Sequence, residues 1–341
     1  MSAVLYHPDW GYYRSGQAQV GRTGDFFTNV SVGACFGLLL ARRLASWWHA
    51  VGCPRAWRLI EQGSHDGQLL ADVLEHLPDA ARSAACVTII EPSPALQALQ
   101  AGTLARWSTQ LHWHNTLQDC PATDAPTAYF CNELLDAFPV ERIRWQHNQW
   151  QRLHVQSHDT TANSTTPFVL IERPLPEFLQ PYLPAIDTDL PNAYTTEICP
   201  GHADWANALA NTLPRGLILL MDYGFESADY YHPSRQDGTL RTYCQHRALD
   251  NPFQAVGYSD ITAHVCWSEV VKHLTYHGFC CAPLLDQGRY LTRLAAPWLL
   301  EMMQEGSPPS AASAKLLRQF QTLTHPSQMG AKFQVLEATK L

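Results

Sequence analysis

The sequence lacks the features typical of membrane, nucleic-acid and secreted proteins. No apolar run approaches the roughly 20 residues that span a bilayer, and the first residues do not resemble a signal peptide. The four lysines are scattered and the net charge is −8, so no surface suited to nucleic-acid phosphates is expected. We therefore expect a cytoplasmic protein with no nucleic-acid partner and no membrane insertion.

Cysteine is present, but not in the spacings that indicate a metal site or a disulfide framework. None of the ten cysteines forms a C-x-x-C pair, and Cys280 and Cys281 are adjacent. Unpaired thiols of this kind are typical of a reducing cytosol. His112 and His114 would share one face of a strand, but no further ligand stands at a suitable spacing. No metal site is predicted.

What the sequence does contain is a regular alternation of strands and helices. Strands are predicted at 56–63, 86–93, 111–117, 127–135 and 216–224. Helices are predicted at 33–50, 68–77, 94–107 and 201–213. A strand, a helix and a further strand follow between 261 and 284, and the tail 311–341 is helical and then extended. This order predicts an α/β fold, with a mostly parallel sheet covered by helices on both faces.

Breaks in this alternation predict the domain organisation. Residues 1–54 are read as an N-terminal lid and helix, and the core comprises 55–140 and 201–341. Residues 141–200 are read as an inserted subdomain of extended strands with a cap, which includes the polar turn or flexible loop 156–167. Residues 225–258 form a predicted long loop, and loops of that length are usually functional or disordered.

The stretch LIEQGSHDGQLLADVL (59–74) predicts a ligand loop between the first strand and its helix. In open α/β sheets, ligands bind at the carboxyl ends of the strands. Gly63 and Gly67 allow positive φ and close approach of the backbone to a ligand. A Cβ atom at residue 63 is expected to enter the ligand space. A tight turn without any ligand is the alternative.

Glu91, at the end of the second predicted strand, favours the ligand interpretation. An acid at this place accepts hydrogen bonds from a ribose diol, so a cofactor containing adenosine is expected. NAD and S-adenosylmethionine both satisfy that condition. His65 and Asp66 fill the turn, and Asp66 would repel a pyrophosphate. S-adenosylmethionine carries no phosphate and has two cationic groups, so it is the better candidate.

NELLDAFPV, beginning at Asn132, places acids at the end of the fourth predicted strand, where a methyl group would meet its acceptor. Glu133 and Asp136 are predicted to share one face of a helical turn. Two carboxylates there would pair with a cationic acceptor such as a guanidinium. Stabilisation of a helix N-terminus is the alternative. The Asn-Pro-Pro-aromatic tetrapeptide typical of base methyltransferases is missing.

Several of these motifs together resemble one family, the MidA-type S-adenosylmethionine-dependent methyltransferases. The similar segments are GYY at 11–13, GDFFTNVSVGACFG at 24–37, EQGSHDGQLLADVL, EPSPALQALQ, NELLDAFPV, MDYG at 221–224, HPSRQDGTLRTYCQH at 232–246, GYSDITAHVCW at 257–267 and QMGAKFQVL at 328–336. The resemblance implies a Rossmann-like class I methyltransferase fold with a seven-stranded sheet, an added subdomain and an N-terminal helical arm. It also implies methylation of a protein arginine, on a respiratory complex I subunit or its bacterial counterpart.

The resemblance also implies roles for individual residues. Cofactor contacts fall on Asp25, Phe26, Thr28, Glu61, Gly63, Gly67, Glu91, Pro92, Ser93, Gln118, Asp119 and Asn132. Candidate catalytic residues that line the acceptor pocket are Asn132, Glu133 and Asp136. Residues near the rim of that pocket are Asp222, Tyr223, His232, Arg235 and Arg241.

Two departures from the family pattern leave other functions open. His65 replaces the middle glycine of the loop, and the family's Thr-x-Pro-Glu reads Thr28-Asn29-Val30-Ser31. Histidine is among the residues that tolerate left-handed backbone, so the first change is compatible with an intact turn. The alternatives are a cofactor-binding assembly module with little or no turnover, a small-molecule methyltransferase and an NAD-dependent enzyme.

Overall fold

The structure, a computed structural model, describes residues 1–13, 28–157, 167–185, 190–244, 247–249, 251–304 and 310–341. Two of the expected cofactor contacts, Asp25 and Phe26, lie outside the described residues. Most of the polar segment 156–167 does so as well.

The helices and strands follow the predicted alternation. The helices are α1 (Ser2–Tyr6), α2 (Asn29–Val32), α3 (Cys35–Ala50), α4 (Gln68–His76), α5 (Asp79–Ser83), α6 (Pro94–Thr103), α7 (Gly201–Thr212), α8 (Ser227–Tyr230), α9 (Trp267–Tyr276), α10 (Gln287–Gln304) and α11 (Ala311–Thr324). The strands are β1 (Trp57–Gln62), β2 (Ala85–Ile90), β3 (Leu111–His114), β4 (Thr127–Asn132), β5 (Glu141–Gln146), β6 (Gln149–Ser157), β7 (Phe168–Pro174), β8 (Tyr194–Ile198), β9 (Gly216–Phe225), β10 (Arg241–Cys244), β11 (Arg247–Leu249), β12 (Asp260–Thr262), β13 (Val265–Cys266), β14 (Cys280–Cys281), β15 (Leu285–Asp286) and β16 (Phe333–Lys340).

The central sheet has the strand order β3-β2-β1-β4-β9-β16-β14 in the described part of the chain. The strands from β3 to β9 are parallel, and β16 is antiparallel to both of its neighbours. The predicted mostly parallel, seven-stranded sheet is confirmed along this path, and the short strands β13 and β15 extend it. β2 and β4 end earlier than predicted, at Ile90 and Asn132, so the acids that follow them lie in loops.

Helices cover both faces of this sheet, as its buried central strands require. On one face, α3, α4, α10 and α11 pack against the strands in one apolar cluster. On the other face, α7 and α9 form a second cluster with the same strands. In the described ranges, no helix has the length and apolar character needed to cross a membrane.

The segment 141–200 forms its own antiparallel sheet, with the strand order β7-β6-β5-β8. The 3₁₀ turn Glu177–Tyr182 packs on it through Leu179, which meets Ile143 and Ile198 in a small apolar cluster. Extended strands with a cap were expected here. The domain boundaries themselves stay a prediction.

The segment 225–258 is more ordered than the predicted long loop. It contains α8, β10 and β11, and β10 also pairs with β12. The buried Glu197 carboxylate of β8 accepts a hydrogen bond from the backbone N–H of Thr239 at 2.7 Å and pairs with Arg142 at 3.1 Å. The bond from Thr239 joins the segment to the inserted sheet. Because Arg241–Cys244 and Arg247–Leu249 are strands, the loop prediction is wrong for these residues.

The described part of the N-terminal arm is anchored in an apolar cluster. Leu5 and Tyr12 are fully buried and pack with Ile261 of β12. Residues 1–13 therefore hold a defined place beside the carboxyl ends of the central strands.

Candidate active site

A cleft with a volume of about 580 Å³ opens at the carboxyl ends of β1, β2 and β4. This volume lies within the range of small-molecule sites, about 300–1,000 Å³. The predicted residues that line the cleft are Thr28, Glu61, Gly63, Glu91, Pro92, Ser93, Asn132 and Glu133. The fold thus brings together residues that are far apart in the sequence.

The loop after β1 is a run of left-handed backbone positions. Gly63, His65 and Gly67 have φ angles of 78°, 47° and 81°. His65 adopts the turn conformation that was expected to be tolerated. The Asp66 carboxylate accepts a hydrogen bond from the backbone N–H of Gln68 at 3.0 Å, at the start of α4. An acid in this position occupies the helix N-terminus that a pyrophosphate would need.

The two glycines differ in what surrounds them. A Cβ atom on Gly63 would lie 3.0 Å from Leu134 Cδ1, which follows β4. It would therefore press on the loop after β4, whose Leu134 also lines the cleft, and its entry into the ligand space stays a prediction. A Cβ atom on Gly67 would meet Leu104 Cδ1 at 3.2 Å, so this glycine serves the packing of α4 near the end of α6. Gly67 is not among the described residues that line the cleft.

Glu61 is a buried acid at the floor of the cleft, with only 2% of its surface exposed. The Ser64 hydroxyl donates a hydrogen bond to its carboxylate at 2.6 Å. Burial raises the pKa of Glu61 to about 8 in spite of this hydrogen bond. A cationic ligand in the cleft would favour the charged form of Glu61.

Glu91 lies at the tip of β2, where a ribose diol was expected to bind. Its carboxylate accepts hydrogen bonds from the backbone N–H of Ser93 at 2.8 Å and from Gln100 Nε2 at 3.4 Å. Ile90 and Leu96 add apolar surface to the cleft beside it. Glu91 suits a ribose diol, Glu61 suits a cationic group, and the apolar side chains suit an adenine ring. The start of α4, which a pyrophosphate would need, is occupied by Asp66. The cleft therefore fits S-adenosylmethionine better than a dinucleotide.

Gln118 and Asp119 are not brought to the cleft. Both are exposed, and neither is among the described residues that line it. The Asp119 carboxylate accepts hydrogen bonds from the backbone N–H and the hydroxyl of Thr116, both at 2.9 Å. These bonds cap the short turn after β3, and a contact with adenine stays a prediction for both residues.

Asn132 and Glu133 stand directly after β4. Asn132 Nδ2 donates a hydrogen bond to Glu133 Oε1 at 2.8 Å, and the backbone N–H of Asn29 donates to the same oxygen at 3.3 Å. Burial raises the pKa of Glu133 to about 8. Glu133 has a φ of 52°, so the predicted helical turn shared with Asp136 is wrong. The helical turn begins later, as a 3₁₀ turn at Leu135–Ala137.

Asp222 of β9 organises the turn that carries Asp136. One of its carboxylate oxygens accepts the backbone N–H groups of Leu134, Leu135 and Asp136 at 3.1, 2.8 and 3.2 Å. Burial raises the pKa of Asp222 to about 7, and burial together with the Asp222 charge raises the pKa of Asp136 well above its usual range. Among the described residues, no lysine or arginine forms an ion pair with Glu133, Asp136 or Asp222.

Two tyrosines of the N-terminal arm complete this end of the cleft, and sequence reasoning gave them no role. The Tyr6 hydroxyl donates to the carbonyl oxygen of Ala137 at 2.8 Å, and the Tyr13 hydroxyl donates to Asp260 at 2.7 Å. Both rings line the cleft. Tyr13 belongs to the GYY motif, which was a usable signal, whereas nothing in the sequence distinguishes Tyr6.

The other expected rim residues lie away from the cleft lining. Tyr223 packs on Phe333 with 4.0 Å between ring centroids. Arg235 lies over the Phe225 ring at 4.2 Å. His232 forms a local hydrogen bond with Ser234, and Arg241 is exposed. Their contribution to acceptor binding stays a prediction.

Comparison with known proteins decides the family. Residues 39–281 match the profile of the family described as "Putative S-adenosyl-L-methionine-dependent methyltransferase". The chain belongs to this family. The predicted family, the Rossmann-like methyltransferase fold and the cofactor, S-adenosyl-L-methionine, are thereby confirmed, and the protein is a methyltransferase.

Related proteins and structures agree with this assignment along nearly the whole chain. The mitochondrial protein arginine methyltransferase NDUFAF7 homolog of Drosophila melanogaster is 29% identical, over 98% of this chain and 79% of that protein. Human mitochondrial NDUFAF7, also named a protein arginine methyltransferase, is 25% identical over 98% and 77%. A crystal structure of a Burkholderia thailandensis protein bound to S-adenosyl-homocysteine superposes with a TM-score of 0.85, at 29% identity over 99% of this chain and 86% of that one.

Proposed function

We propose that this methyltransferase modifies an arginine side chain of a protein. The observation that carries the proposal is the half-buried carboxylate of Glu133, which lines the cleft, together with the two buried acids that act on it or on each other, Asp136 and Asp222. Carboxylates without a cationic partner are unfavourable in such a place, and a guanidinium would neutralise them. The names of the mitochondrial relatives support the same acceptor chemistry.

We call the part of the cleft around Glu133 the acceptor end, and the part around Glu61 and Glu91 the cofactor end. The acids of the acceptor end have a defined task in this reaction. S-adenosylmethionine supplies a methyl group activated by its positively charged sulfur. A guanidinium is a weak nucleophile because its pKa exceeds about 12. Glu133, held by Asn132, would draw the positive charge away from the attacking nitrogen and afterwards accept the proton that this nitrogen loses. Without an acceptor, a pKa of about 8 keeps Glu133 mostly protonated at neutral pH, and a guanidinium beside it would lower this pKa and favour the carboxylate that both roles need.

The proposal includes a partner and a location. The acceptor is a protein, and by resemblance it is a complex I-type subunit or its bacterial counterpart. The reaction takes place in the cytoplasm, in agreement with ten cysteines that are all free thiols.

The test is transfer of a labelled methyl group to protein. We would incubate the purified protein with tritiated S-adenosylmethionine and an extract of cells that lack the gene. Acid hydrolysis and chromatography of the labelled protein then identify the modified amino acid. Wild type should yield methylarginine, and Glu133→Gln should yield at least about 100-fold less. Glu75→Gln, which changes an exposed acid of α4, should match wild type.

The alternatives give different results in the same experiment. Label in small molecules alone would show a small-molecule methyltransferase. Calorimetric binding of S-adenosylhomocysteine without transfer to any fraction would show a binding module. Label in a residue other than arginine would refute the acceptor that we propose.

A further inference from the structure

A chain of amide side chains leads from α10 to Glu133. Gln287 Nε2 donates to Asn29 Oδ1 at 2.8 Å, and Asn29 Nδ2 donates to Asn132 Oδ1 at 2.9 Å. Asn132 Nδ2 then donates to Glu133 Oε1 at 2.8 Å. Gln287 and Asn29 are fully buried.

The direction of this chain is fixed at its far end. Gln287 Nε2 also donates to the backbone carbonyl of Leu323 in α11 at 3.0 Å, and a carbonyl oxygen can only accept. The NH₂ group of Gln287 must therefore face both Leu323 and Asn29. Asn29 must then turn its oxygen to Gln287 and its NH₂ group to Asn132. Asn132 accepts with its oxygen in the same way, so its NH₂ group faces Glu133.

The segment that holds Asn29 is the one that departs from the family pattern. Thr28 caps α2 and accepts a hydrogen bond from the backbone N–H of Ser31, and the Ser31 hydroxyl accepts one from the backbone N–H of Thr28, both at 3.3 Å. This reciprocal capping closes the turn without the expected glutamate. The turn places Asn29 between Gln287 and Asn132.

We infer that Asn29 and Gln287 are positioning residues of the methyl-transfer site, which act through Asn132 to orient the Glu133 carboxylate. Neither residue borders the cleft, so their side chains act on the acceptor through this chain. Asn29 also donates its backbone N–H to Glu133 Oε1 at 3.3 Å, and a change of its side chain keeps this bond. Without Asn29, the Asn132 amide can rotate and turn its oxygen toward the carboxylate. Two acceptors would then face each other, and the orientation of Glu133 would be lost.

This inference rests on the proposed function, and its test has one readout that needs no turnover. We would measure methyl transfer to arginine for Asn29→Ala, Gln287→Met and the double variant. Asn211→Ala, on the exposed face of α7, is the matched control. In each protein we would also titrate the Glu133 carboxyl by carbon-13 NMR, with the signal assigned by its absence in Glu133→Gln. Calorimetry with S-adenosylhomocysteine and thermal melting show that each variant is folded.

We expect kcat to fall roughly 10-fold in Asn29→Ala and about 3-fold in Gln287→Met, with KM for S-adenosylmethionine nearly unchanged. The double variant should be no slower than Asn29→Ala, because Gln287 acts through Asn29. Loss of the directed N–H should raise the pKa of Glu133 further. Asp222 of β9 and Asp260 of β12 also act on this carboxyl and remain in place in every variant.

The outcomes separate the inference from the proposed function. An unchanged Glu133 titration in Asn29→Ala, or effects of the two single variants that multiply in the double variant, would overturn the inference. If wild type transfers no methyl group to arginine, the proposed function fails, and the NMR titration still decides whether the chain controls Glu133. An Asn29→Ala protein that fails to fold leaves Gln287→Met as the variant that decides.

Discussion

The two ends of the cleft are built in different ways. The cofactor end comes mainly from short stretches, residues 61–68 and 91–93, whose geometry is set by local turns. The acceptor end is assembled from the arm, α2, the loop after β4, β9 and β12, which lie far apart in the chain. Local backbone rules therefore suffice at the first end, whereas the second depends on tertiary contacts.

The strongest way to break the acceptor end is to remove Asp222. Asp222→Ala removes the acceptor of three backbone N–H groups, two of them buried, and each buried group without a partner costs about 1–3 kcal/mol. We expect the free energy of unfolding to fall by roughly 3 kcal/mol or more, measured by denaturant titration. Asp124→Ala, at an exposed position, should leave it within about 0.5 kcal/mol of wild type. Equal losses in the two variants would contradict the role of Asp222.

The sequence predicted the cofactor end well because its signals are local. Glycine spacing, the acid after β2 and the alternation of elements indicated the sheet, the loop and the cofactor. Glu133 was found from its motif, but its left-handed backbone was not, because NELLD reads as the start of a helix. Asn29 and Gln287 could not be found, since 258 positions separate them and only the fold brings them together.

A pH titration of stability sharpens the comparison, because each end has an acid in the cleft lining whose pKa is raised to about 8, and the acceptor end also holds Asp136 and Asp222. Glu61 and Glu133 have pKa values of about 8 in the folded protein and near 4.5 when unfolded. Between these values the unfolded state releases protons that the folded state keeps, so stability falls as the pH rises from about 4 to 8. At pH 9, Glu133→Gln should be more stable than wild type by about 1–2 kcal/mol, and at pH 4 the two should be equal. Parallel curves would refute the raised pKa of Glu133.

Paired glycine substitutions test whether the two ends touch. Gly63 and Gly52 both have positive φ, but a Cβ atom on Gly63 meets Leu134, whereas nothing lies within 4 Å of one on Gly52. Each change to alanine should cost about 1 kcal/mol of stability through backbone strain. Only Gly63→Ala should also weaken S-adenosylhomocysteine binding, roughly 10-fold by calorimetry, because it displaces the loop after β4. Equal binding by both variants would show that the contact with Leu134 does not shape the cleft.

The smallest effect on stability and on cofactor binding is expected at His65, which replaces the middle glycine of the family's loop. His65→Gly relieves the strain of a left-handed histidine and adds freedom to the unfolded chain, so the two effects nearly cancel. We expect stability to change by less than about 1 kcal/mol and affinity for S-adenosylhomocysteine by less than about 3-fold. A larger gain in affinity would identify the His65 ring as an obstacle in the cleft.

The place of β16 in the sheet has a consequence for the synthesis of this protein. It inserts between β9 and β14 and pairs with β9 over its whole length, yet it begins at Phe333, long after β9 ends at Phe225. A ribosome needs on the order of 10 s to make the intervening residues. During that time the apolar strand β9 has an open edge, which can capture strands of other nascent chains. We expect protection of this edge, by a chaperone or by fast translation of the residues between β9 and β16, to govern how much active enzyme a cell obtains.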